Sequence, residues 1–201
     1  MRLGRIAGML IIGGSLLSLP AGVLYGPAGP GDSGHLDLGN LIMNVCLALL
    51  GSGAAVLSAA GPRPLGGRDV RIGLATLAIG LLGLLVSSII PIPAGSNSLE
   101  SWPYIISGSI GLLATATGSL LSFVSLARAS GPSQTVGRLF LAGLLLVVAF
   151  SLLGNGAIAL GPLRVIAELL AALGGVAIVL AAAGLGMLAI GGERSAPDAA
   201  A

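Results

Sequence analysis

Apolar residues in this chain gather into six long runs, each closed off by glycine, proline or charge: 6–24, 38–60, 72–92, 104–127, 139–160 and 162–190. A helix that crosses the hydrocarbon core of a membrane needs about 20 mostly apolar residues, so each run predicts one transmembrane helix. Strands of an outer-membrane barrel alternate polar and apolar positions, and these runs do not. The pattern predicts an all-α fold, a polytopic membrane bundle of six transmembrane helices. It forms one domain over residues 1–192, followed by a short disordered tail over 193–201.

Composition strengthens that reading. The chain has 201 residues, 55% hydrophobic and 8% charged, with a mean hydropathy of +1.07. A water-soluble domain carries about 25% charged residues, so this one lacks the polar groups to cover a surface in water. The lipid bilayer is its first partner. All nine basic residues are arginine and they are scattered along the chain. No basic cluster or aromatic-basic stripe marks a nucleic-acid surface, and no nucleic-acid partner is expected. The absence of lysine, with 34 glycines, matches GC-rich prokaryotic coding. Cys46 is the single cysteine, which excludes an intrachain disulfide and a cysteine cage for metal.

The arginines orient the bundle. Threading six spans puts Arg2, Arg5, Arg63, Arg68, Arg71, Arg128, Arg138 and Arg194 on one side and Arg164 alone on the other. Loops rich in Lys and Arg stay in the cytoplasm, so the expectation is a multi-pass protein of the inner, cytoplasmic membrane with both termini inside. Tyr25, Trp102 and Tyr104 then lie at the outer interface, where amphipathic rings settle. The opening MRLGR and its apolar run have the layout of a signal peptide. That run is nevertheless long enough to span, and it is read as a retained helix.

Three hairpins echo one another. Arg5, Arg71 and Arg138 each precede an apolar run, 66 and 67 residues apart. The stretches GPRPLGGR (61–68) and GPSQTVGR (131–138) share a Gly-Pro, four residues and a Gly-Arg. One reading is a threefold duplication of a hairpin. The other is that Gly/Leu/Ala-rich helices resemble each other anyway, with Gly-Pro as the helix stop and Arg as the headgroup anchor.

Small residues should hold the helices together, because lipid tails are as apolar as leucine and burial of leucine gives no drive for association. In the fourth run Ser107, Gly111, Thr115 and Ser119 recur every four residues. In the sixth, Ala167, Ala171 and Gly175 are followed by Ala182 and Gly186. The expectation is that the fourth and sixth helices pack at the bundle centre. Pro20, late in the first run, removes a backbone donor and predicts a kink.

Few side chains offer chemistry. The sixth run opens GPLRVIAELL, with Arg164 and Glu168 spaced for an i, i+4 contact. From 162 to 190 it has 29 residues, about 43 Å at 1.5 Å each, against a core of about 30 Å. The excess puts Glu168 near the outer boundary, where charge costs little; the rival is a deep proton relay. Asn40, Asn44 and Asn155 bridge helices by hydrogen bonds or line a solute path. Asp32, His35 and Asp37 in DSGHLDLGN are donors of types that bind divalent metals, but a solvated loop carries such residues too, and neither metal nor cofactor is assigned. There is no nucleophile elbow, phosphate loop, paired histidine or dinucleotide fingerprint. The chain is not expected to be an enzyme. The leading function is a structural or accessory subunit of a membrane complex, packed against other subunits or itself. The alternative is a small transporter or channel with a polar path along Asn40, Asn44, Asn155 and Glu168.

Overall fold

The computed structural model describes residues 2–24, 36–61, 65, 67–89, 102–155 and 161–192. They form six helices: α1 (Arg2–Leu24), α2 (Leu36–Ala60), α3 (Arg68–Ile89), α4 (Trp102–Arg128), α5 (Pro132–Asn155) and α6 (Gly161–Gly192). No strand occurs among the described residues. All six helices are long and apolar enough to cross a membrane, with spanning windows of mean hydropathy between 1.5 and 2.3. The protein is a six-helix membrane bundle. Residues 193–201, expected as a disordered tail, lie outside the described residues, as do Asp32 and His35.

Backbone chemistry explains where the helices end. Gly61 has φ +50° and its N–H donates to Leu57 O at 2.9 Å, a left-handed cap that closes α2. Gly131, at φ +74°, separates α4 from α5. Immediately after it comes Pro132, whose fixed φ suits the first position of a helix, and the Gln134 N–H donates to Gly131 O at 3.1 Å. Helix α5 therefore begins at Pro132, seven residues before its apolar run, and GPSQTVGR is mostly helix rather than loop. Buried contacts draw it in. A methyl on Gly137 would strike Phe123 O and the Ala127 backbone of α4, and one on Gly184 of α6 would lie 2.9 Å from Val136. Helix α1 runs through Pro20 to Leu24.

Each helix packs on its neighbours in the chain, and α6 returns to pack on α1, so the bundle is a closed ring. Helix α4 lies against α3 and α5, and α6 against α5 and α1. The small residues of α4 and α6 thus serve different seams, and the two helices do not pair at the centre as the sequence suggested. The core lies toward the end where α1, α3 and α5 begin. All six helices enter it, through Ala7 and Ile11, Leu57, Leu74, Leu126, Phe140 and Leu185. The Phe123 and Phe140 rings lie parallel, with centroids 3.9 Å apart and planes 4° from each other.

The first two hairpins cross at equivalent positions. A Cβ on Gly53 of α2 would meet Ala7 O and the Ile11 side chain of α1; one on Gly118 of α4 would meet Gly73 O and the Leu77 backbone of α3. The α1 and α3 positions differ by 66, the two glycines by 65. Gly14 against Leu49 and Leu50 has the same counterpart in Gly80 against Ala114 and Thr115. The third hairpin makes this contact one helical turn further on, with Gly174 of α6 over Gly143 O and Val147 of α5.

Candidate functional site

Asn44, on α2, is half-buried and faces Ser88 of α3. The Ser88 hydroxyl lies 2.5 Å from Asn44 Oδ1 and 2.7 Å from Leu85 O of its own helix. One proton serves one acceptor at a time. With it on Leu85 O, an amide turned by half a rotation donates from Nδ2 to the Ser88 oxygen, and both contacts form at once. The pair joins two helices. Asn40, one turn earlier, is also half-buried. Asn155 is the last residue of α5 and Arg164 the fourth of α6; their side chains lie outside the described residues.

Glu168 is exposed, on a face of α6 shared with Val165, Ile166 and Leu169. It lies within the first eight residues of a 32-residue helix, which is longer than the hydrocarbon core requires. Asn44 thus belongs to the α2–α3 seam, and Glu168 is exposed on α6.

Ser107, Gly111 and Thr115 line the face of α4 turned to α3. A Cβ on Gly111 would lie 2.8 Å from Leu84 N and 3.1 Å from Gly80 O, so the backbones are nearly in contact there. The Ser107 hydroxyl donates to Pro103 O at 2.7 Å, the i−4 bond common for serine in membrane helices. Beyond Thr115 the close row continues through Gly118 and Ser122, both buried, while Ser119 is only partly covered. The hydroxyls of Thr115 and Ser122 are buried without a hydrogen-bond partner. Both are pressed against α3, at Gly80 and Gly73.

No family model matches the chain. Neither the curated proteins nor the solved structures include a significant match.

Two arrangements went unread in the sequence. One is the α1–α6 closure, where a Cβ on Gly8 would lie 2.5 Å from Gly186 O and one on Gly186 2.6 Å from Gly8 O. The other is a groove at the arginine-bearing end, lined by Ser58, Arg68, Arg71, Ile72 and Ala75. Its signal was present: Arg68, Arg71, Ile72 and Ala75 are spaced to share one helix face. Among the described residues no group of three His, Cys, Asp or Glu side chains is placed to hold a metal. The side chain of Asp37 is not among those described.

Proposed function

We propose that the chain is a structural or accessory subunit of a complex in the cytoplasmic membrane, without catalytic chemistry of its own and with both termini in the cytoplasm. The observation that carries this reading is where the polar groups within the spans are used. Ser15, Ser18, Ser58, Thr76, Ser107 and Thr117 donate back to their own helices, and Ser88 and Asn44 bond each other across a seam. Such groups hold a helix pack together. A solute path needs polar groups that converge on one lumen, and the exposed position of Glu168 counts against its membership.

Exposed apolar faces on α4 (Ile110, Leu112, Leu113) and α6 (Leu169, Leu173) suit lipid or lateral partners. The test is gentle extraction from the native membrane after cross-linking, with identification of whatever is joined to the chain. A defined set of membrane proteins, recovered repeatedly, supports the accessory role. Solute or ion flux in liposomes holding the purified protein alone, abolished by Asn44→Ala, would overturn it in favour of transport.

A further inference from the structure

On the outside of the bundle, between α2 and α3, an open groove of about 400 Å³ is lined by Ser58, Arg68, Arg71, Ile72 and Ala75. We infer that it is a binding site for an anionic phospholipid, with the phosphate on Arg68 and Arg71 and an acyl chain lying over Ile72 and Ala75.

Three features point to that occupant. The first is depth. Arg68 and Arg71 stand in the first turn of α3, just before the uninterrupted apolar run from Ile72, the place at which arginine anchors a spanning helix to the headgroups. From them the groove runs along α3 toward the acyl layer, and the exposed Ile72 and then Ile79 continue on the side of α3 turned away from the core. A ligand that is a phosphate at one end and a hydrocarbon at the other matches that order.

The second is preorganisation. Arg71 Nε donates to Ser58 O at 2.8 Å, one of the last carbonyls of α2, where the helix dipole favours a cation. Its side chain lies over Gly61, with Cδ and Nε each 3.3 Å from where a Cβ would be. The left-handed glycine that ends α2 thus also makes room for the arginine. Nε is one of five guanidinium donors, and the two terminal nitrogens carry the other four, suited to phosphate oxygens.

The third is charge. Arg68 and Arg71 are three apart and share a face of α3. Asp69 is exposed on the next face, about 100° round the helix. Basic pockets between membrane helices hold acidic lipid headgroups. This inference is independent of the accessory role, since a transporter or a scaffold would hold such a lipid equally well.

The experiment titrates the purified full chain in neutral detergent with dioleoyl phosphatidylglycerol and with dioleoyl phosphatidylcholine. Native mass spectrometry reads bound lipid, and the unfolding temperature reads stabilisation. Phosphatidylglycerol should bind more tightly and raise the unfolding temperature further. Arg68→Gln should weaken that binding about fivefold, and Arg71→Lys should retain more of it than Arg71→Gln. Arg138→Gln, an exposed arginine at the same end of the bundle, should leave it unchanged. Arg68 takes no part in capping α2, so its variant keeps the fold. Equal binding of the two lipids, equal losses in Arg68→Gln and Arg138→Gln, or equal stabilisation by inorganic phosphate alone would each overturn the assignment.

Discussion

At single positions, what matters in this bundle is how near one backbone comes to another. Gly111 has Leu84 N and Gly80 O close to its missing side chain, while Leu113, two residues on, is 67% exposed. Gly111→Leu should therefore separate α3 from α4 and cost about 3 kcal/mol, seen as a marked fall in unfolding temperature in detergent. Leu113→Ala should change stability by less than about 0.5 kcal/mol. Equal tolerance of both would mean that the seam is not held by close packing. The Asn44–Ser88 pair should contribute modestly: a double-mutant cycle with Asn44→Ala and Ser88→Ala should give a coupling of about 0.6 kcal/mol, the average for hydrogen bonds between membrane helices. Glu168→Gln should leave folding and yield unaltered, because surface ion pairs of an exposed carboxylate contribute little. Loss of a folded, monodisperse peak on size exclusion would refute that.

Among the elements, the two glycines with positive φ make a matched comparison. At Gly131 nothing lies within 4 Å of an added methyl, so Gly131→Ala is opposed by backbone conformation alone, about 1–2 kcal/mol. Gly61→Ala carries the same backbone cost and also displaces Arg71, so its unfolding temperature should fall further. If the two variants are equally stable, Arg71 does not depend on the bare glycine. The six helices were legible because a membrane span is written as a run of apolar residues. The start of α5 was not, since Gly-Pro reads as punctuation whether a loop or a new helix follows. Nor was the partner of α4: small residues every fourth position mark a face, but nothing in that spacing says which helix will meet it. On α6 Gly174, like Gly184 and Gly186, is in close contact, while its neighbour Gly175, a member of the small-residue pattern, has nothing within 4 Å. Adjacent glycines differ by about 100° round the helix, and composition alone does not choose between them. The groove is not legible for a related reason: the spacing of Arg68 and Arg71 marks a helix face and an end of the bundle, but not the α2 carbonyl that Arg71 meets.

For the whole molecule, the orientation rests on the arginines and is open to a direct test. In a Cys46→Ala background, a cysteine at Ser96, between α3 and α4, should react with an impermeant thiol reagent in intact cells. One at Ser130, exposed where α4 meets α5, should react only after lysis; the opposite pattern would invert the bundle. The closed ring also bears on how the protein is made. Gly8 and Gly186, which meet across the last seam, are 178 residues apart in the chain. At about 5–20 residues per second, a ribosome takes about 10–40 s to pass from one to the other. Throughout that interval α1 has α2 beside it while its other flank, with the bare backbone at Gly8, faces lipid or whatever insertion factor shields it. Helix α6 is what covers this flank, so a nascent chain halted before α6 would still display the bare side of α1.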